Sequence, residues 1–182
     1  MKTFIATAAL LALAFQAALG GDAPPIVRVR HFGFAVPVGW TLLASSAEGE
    51  SRLTVGRGPA TAQVTFSKYG MGGGSAEDDT KTWFNEFSGS GLKHNLESDQ
   101  IGSVKIYYAT TEGTFSSGEP GEKSKRTGYA LLGAVLESKN GVVYVKMVGP
   151  AATVRGATQA FKTMVAGAAK TAATPPRKPK SN

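Results

Sequence analysis

Residues able to do chemistry are few in this chain and widely spaced. It has 182 residues, two histidines and no cysteine, which excludes disulfides, thiolate nucleophiles and thiolate metal sites outright. His31 lies in a strand-prone stretch and His94 in a polar one, with no His-x-x-x-His spacing and no carboxylates placed to complete a zinc site. The Gly-x-Ser-x-Gly elbow that would expose a serine nucleophile is absent. Only Gly70-Met71-Gly72-Gly73-Gly74-Ser75 has the form of a glycine-rich loop running from a strand into a helix. It carries neither the Walker Lys-Ser/Thr pair nor the dinucleotide G-x-G-x-x-G spacing. Glu77, Asp78 and Asp79 crowd the turn that follows, where they would repel a phosphate.

A structural role accounts for that acidic cluster. Ser75 with Asp78 three residues on is a variant of the capping box, and negative charge in a first turn complements the helix dipole. As an acid–base pair, Asp78 and Asp79 would diverge by ~100° around a helix. No catalytic residue, cofactor or metal ligand is therefore assigned. An enzyme of hydrolase type, with a small-molecule cleft near Gly72–Gly74, is the alternative to a binding module. The strongest candidate contact is the stretch Ser116–Arg126, with two glycines, a proline and five charged residues. Its basic run Lys123, Lys125 and Arg126 could present charge to a partner from a loop held between strands. Tyr107, Tyr108 and Tyr129 are expected to flank it.

Charge is uneven along the chain. Residues 1–100 hold eight Lys+Arg against nine Asp+Glu, and residues 101–182 hold twelve against four, so the net +7 resides in the second half. A basic half favours an envelope protein or an anionic ligand as partner. The cations are scattered and not set in a stripe with interleaved aromatics, which argues against nucleic acid. Oligomeric state is not legible in the sequence.

Met1–Gly20 has the form of a secretory signal: Lys2, an apolar run from Phe4 to Phe15, and small Ala18 and Gly20 before a cut at Gly21. The run is too short for a comfortable span of ~20 residues. The expectation is a secreted or periplasmic protein of about 160 residues, a size that buries roughly 70% of its unfolded surface without staples. Its mature part has no membrane-spanning segment. Residues 21–170 form one domain on this reading, and residues 171–182, ending Pro-Pro-Arg-Lys-Pro-Lys, form a disordered basic tail.

The elements that would position these residues centre on Thr127–Val165. Asn140-Gly141 between two β-prone runs predicts a hairpin with those residues at the centre of a type I′ turn. That register sets Leu136 opposite Val145 and Ala134 opposite Met147, with Leu132, Leu136, Val143 and Val145 on one core face. Gly149-Pro150 ends the strand. Val154, Ala157, Phe161 and Val165 then recur at helical spacing, in a helix that fades near Ala169. Upstream, Ile26–Val36 reads as one strand, Arg52–Gly56 and Ala62–Tyr69 as a hairpin, and Ala76–Phe87 as a helix. Ser88–Gly102 reads as loop, and Val104–Phe115 as a long strand bending near Glu112-Gly113. Trp40, just after a turn, is suited to plugging one end of the core.

Phe34-Ala35-Val36-Pro37-Val38-Gly39-Trp40 at the front and Gly149-Pro150 through Phe161 at the back resemble the PsbP-like fold over roughly Phe32–Ala169. The chain is similar too to uncharacterised secreted bacterial proteins of this type, which share Gly128-Tyr-Ala-Leu-Leu-Gly-Ala134. The resemblance implies an α/β/α sandwich and an exported protein, and brings no activity. Relatives in the wider fold bind proteins, one group a photosystem and another a nuclear GTPase, and no contact residue of theirs has a matching motif in this chain. The fold class expected is α+β: an antiparallel sheet of about five to seven strands with the Ser75 helix and the C-terminal helix packed on it.

Overall fold

The structure, a computed structural model, describes residues 23–43, 51–68, 75–117 and 124–174. The leader Met1–Gly20, the Gly72–Gly74 stretch, Lys123 and the tail from Pro175 onward lie outside the described residues. In chain order the strands and helices are β1 (Ile26–Val29), β2 (Phe32–Ala35), β3 (Thr41–Leu43), β4 (Arg52–Val55), β5 (Ala62–Ser67), α1 (Ala76–Thr82), β6 (Phe87–Ser88), β7 (Asn95–Ile101), β8 (Val104–Ser117), β9 (Ser124–Ser138), β10 (Gly141–Pro150) and α2 (Ala151–Ala173). Short 3-10 turns span Gly58–Ala60 and Trp83–Glu86.

One antiparallel sheet of eight strands runs β3-β4-β5-β10-β9-β8, with β6 and β7 both pairing on the outer side of β8. The hairpin β1–β2 forms a small sheet of its own. It lies beside α2, and the two cover one face of the main sheet; α1 and its 3-10 turn cover the other. The architecture is thus the expected α+β sandwich.

The covered faces follow from side-chain alternation. Ala130, Leu132, Ala134 and Leu136 of β9 join Val143, Val145 and Met147 of β10 in the core under α2. Phe32 and Phe34 come down onto the same core from β2, and Phe161 meets it from α2; all three are fully buried. Leu131, Val135 and Tyr144 point the other way, to a second cluster around Trp83 and Phe87. A Cβ added at Gly133 would overlap the Trp83 ring, so the middle of β9 needs glycine to seat that indole.

Several expectations are corrected. The β9–β10 turn is centred on Lys139-Asn140, with Ser138 opposite Gly141 and Leu136 opposite Val143. Neither Lys139 nor Asn140 has positive φ, whereas Gly141 has φ +115°, so this two-residue turn is not of type I′, which needs positive φ at both central residues. Ser138 selects it: its Oγ accepts from Asn140 N at 3.1 Å and donates to Gly141 O at 3.1 Å. The pairing moves by two residues, so every side chain keeps its face. Ile26–Val36 is a hairpin, turned at Arg30, which takes φ +52°. Ser88–Gly102 contains β7 and part of β6, and the strand total exceeds the five to seven expected. β7 reads Asn-Leu-Glu-Ser-Asp-Gln-Ile and is largely exposed, so no apolar alternation marks it; its ladder to β8 makes it a strand. α1 ends at Thr82 and tightens into 3-10 before Phe87. Residues Ser116, Ser117 and Ser124–Arg126 are paired strand and not loop. α2 continues to Ala173 because Ala172 and Ala173 still have core to pack on, which takes Thr171–Ala173 out of the expected tail.

Other expectations hold. Ser75 caps α1, its Oγ accepting from Asp78 N at 3.1 Å and donating to Asp78 Oδ2 at 2.7 Å. That hydroxyl, followed by Lys81, holds the Asp78 carboxyl below its ordinary range. β8 bulges between Gly113 and Phe115. Trp40 packs partly buried against the main core.

Candidate functional site

α2 is built from good helix formers with an apolar stripe of Val154, Ala157, Phe161, Val165 and Ala168, which fixes its inward face. Its two flanks have different surroundings.

On the flank toward β1–β2 lies an open groove of about 950 Å³. Gly156, Ala160, Thr163, Gly167 and Thr171 of α2 form one wall, spaced three and four residues apart. Ile26, Ala35, Val36, Pro37 and Val38 form the other. Ile26 is 50% exposed and Val38 fully exposed. Arg28 and His31 stand at the hairpin-turn end. The antiparallel ladder and the run of α2 dictate this order: Ile26 pairs with Ala35 at one end, and Arg28 pairs with Gly33 toward the turn. Two helix-interior glycines are unusual here. A Cβ on Gly156 or Gly167 would meet nothing within 4 Å, and neither has positive φ. Glycine inside a helix costs about 0.5–1 kcal/mol relative to alanine, and no internal contact requires it at these positions. What the glycines do provide is width in the groove.

Toward β7 and β8 the flank of α2 is laced with charge. Arg155 Nη1 donates to Glu112 Oε2 at 2.6 Å, and Lys162 Nζ to Glu97 Oε2 at 3.0 Å. Lys162 also sits 4.9 Å from the centre of the Tyr108 ring. Lys162, then Asn95, hold Glu97 below the ordinary carboxylate range. Burial, followed by Asp99 and Glu97, pushes Tyr108 up to about 12. A smaller recess of about 360 Å³ remains here, bordered by Lys93, Thr110 and Thr158.

The opposite sheet face holds the most buried ionisable side chain among the described residues. Asp79 is 3% exposed and accepts from Tyr144 Oη at 2.6 Å. Burial and then this bond push the Tyr144 phenol up. Glu86 pairs with Lys146 further along. Both contacts join α1 and its 3-10 turn to β10 on either side of Trp83, which makes them latches for that layer. His31 Nε2 is 2.9 Å from Ser138 Oγ, its pKa lowered by burial and then by Arg30. His94 Nδ1 is 3.0 Å from Thr111 Oγ1, and its ring stacks on Phe84. Each histidine is committed to its own neighbour. Among the described residues no three His, Asp or Glu side chains stand close enough to hold a metal ion.

Of the basic run, Lys125 and Arg126 are exposed at the start of β9, opposite Ser116 and Phe115, and Lys123 lies outside the described residues. Arg126 lies 5.8 Å from the Tyr129 ring centre, and Tyr129 stacks with Phe115. Tyr107 and Tyr108 do not flank the run. They pair with Val135 and Ala134 far along the β8–β9 ladder, on opposite faces. The groove escaped sequence reading because its walls are more than a hundred residues apart in the chain. The local signals available were the two glycines inside a helical run and the apolar Pro37-Val38 turn.

Neither a protein-family model nor a curated protein matches the sequence. Among solved structures, the solution structure of cyanobacterial PsbP from Synechocystis aligns with a TM-score of 0.50 at 11% identity, over 80% of this chain and 92% of that one. A Pseudomonas aeruginosa protein of unknown function aligns with a TM-score of 0.46 at 14% identity, over 87% of this chain and 100% of that one. The chain has a PsbP-like fold. No helix among the described residues is long and apolar enough to cross a membrane.

Proposed function

We propose that this protein is an exported binding module, secreted or periplasmic, that holds an apolar ligand in the groove between β1–β2 and α2. The observation that carries the reading is the groove itself. It is about 950 Å³ and open, with mostly apolar and small side chains along its walls, Gln159, Thr163 and Thr171 among the α2 residues, and Arg28 and His31 at the hairpin-turn end. Ligand sites have this composition: area for affinity, and sparse polar groups for orientation. The two glycines on its wall, which internal packing does not require, support the same reading. Export rests on the Met1–Gly20 pattern, and a denatured mass beginning at Gly21 in the envelope fraction is the expected result.

Titration of the purified protein with Nile red, a neutral apolar dye, tests the groove. One saturable site is expected, lost in Ala160→Trp and in Thr163→Trp, both of which place an indole in the opening. Dye uptake that does not saturate, or that both variants leave unchanged, rejects the groove as the site.

A second contact is favoured by the exposure of Lys125 and Arg126 on the β8–β9 ribbon. With Lys123 they would engage an acidic envelope protein. The triple alanine variant is expected to lose capture of that protein while Nile red binding persists; retained capture removes the ribbon from the proposal. The hydrolase alternative centres on Gly72–Gly74, which lies outside the described residues.

A further inference from the structure

The groove is polarised along its length. At the end toward the α2 N-terminus its lining is Ile26, Ala35, Val36 and Val38 against Gly156, Gln159 and Ala160, with Gln159 the one polar side chain there and no charge. At the other end it reaches Arg28 and His31. From Gly156 to Thr171 the helix wall rises ~22 Å at 1.5 Å per residue, so the opening is long. Most cations near α2 have partners: Arg155 pairs with Glu112 and Lys162 with Glu97. Arg30 donates to Lys68 O at 3.0 Å. Arg28 is exposed, lines the groove and forms no ion pair among the described residues.

We infer that the groove takes a long-chain fatty acid, its acyl chain lying along α2 and its carboxylate against the Arg28 guanidinium. This rests on the groove reading above and adds the ligand class. Charge complementarity selects the head: a guanidinium offers a planar fork of N–H donors that matches a carboxylate bidentately. Shape selects the tail. An unbranched acyl chain is long, flexible and apolar, and matches a long opening whose walls are mostly apolar or small side chains. Gly156 and Gly167 let that chain approach the helix backbone, where any side chain would hold it off. His31 is engaged with Ser138 at the same end and contributes a wall, leaving Arg28 as the anchoring charge.

Displacement of Nile red by octanoate, myristate, palmitate and hexadecanol tests this on the purified protein and on Arg28→Glu. Arg28 is exposed, so the reversal should leave the fold intact. Affinity is expected to rise by roughly three- to fourfold per added methylene until the groove is filled. Palmitate should bind tenfold or more tightly than hexadecanol, the usual strength of a charge-assisted contact. Arg28→Glu should abolish that preference, leave hexadecanol unchanged and favour dodecylamine over laurate. Equal affinity for palmitate and hexadecanol, or an unchanged preference in Arg28→Glu, overturns the inference while dye binding keeps the groove reading. Loss of dye binding itself rejects both. Lysophosphatidylglycerol binding more tightly than palmitate would assign the head to a lipid phosphate and overturn the carboxylate.

Discussion

The two flanks of α2 solve the same problem in opposite ways. Toward β7 and β8 the helix crosses a strip of charged side chains and closes it with pairs, Arg155 with Glu112 and Lys162 with Glu97. Toward β1–β2 it presents glycine, alanine, threonine, Gln159 and Met164, none of them charged, and the apolar Ile26 and Val38 opposite stay partly or wholly in water. The first flank satisfies its polar groups within the chain. The second leaves apolar surface uncovered and keeps glycines that weaken the helix. An arrangement that forgoes stability on one side of a helix only is the physical mark of a surface kept for something else.

The contrast depends on α2 being anchored between its flanks, so the largest effect belongs to the anchor. Phe161 is fully buried at the centre of the core. Phe161→Ala should cost about 3–5 kcal/mol, read from urea denaturation, and should abolish Nile red binding with it. A loss under about 1 kcal/mol would mean that the helix is held by its flanks and not by its core face.

The open flank gives the next effect, of opposite sign. Gly156→Ala with Gly167→Ala should raise stability by about 1–2 kcal/mol in total while weakening dye binding. Destabilisation would show that the glycines serve the fold, and the contrast would collapse.

The closed flank gives the smallest. Glu97 is held below its ordinary range by Lys162 and then Asn95. A lowered folded-state pKa means that the pair's stabilisation is fully present above the ordinary glutamate range and is lost as pH falls below it. Both partners are partly exposed, so Glu97→Gln should cost only about 0.2–1 kcal/mol at neutral pH. That difference should shrink in high salt and disappear in acid. A difference that survives both would mark Glu97 as part of the packing and not of a charge pair.

Legibility differed between fold and site. Leu132, Leu136, Val143 and Val145 declared the core face by alternation alone, and they keep it even though the β9–β10 pairing differs by two residues. Alternation has period two, so it sets the face and is blind to even shifts; the Ser138 hydroxyl decided the register. Ser75 and Asp78 announced their cap because a cap is local. β7 stayed hidden because an exposed, polar edge strand has no pattern to read, and its identity comes from its pairing with β8. Asp79 was read as one of three first-turn acids, and only the approach of Tyr144 from β10 makes it a buried latch.

By itself the sequence determined the elements whose signals lie within a few residues: the strands of the β9–β10 hairpin, the capped start of α1, the bend in β8, and the inward stripe of α2. Tertiary structure alone decided the groove. Residues 26–38 and 156–171 become its two walls only because the β1–β2 hairpin lies down beside α2 on the same sheet face. A local pattern can specify what a segment buries, since burial follows from periodicity. It cannot specify which distant segment lies beside it, or what surface the two leave open between them.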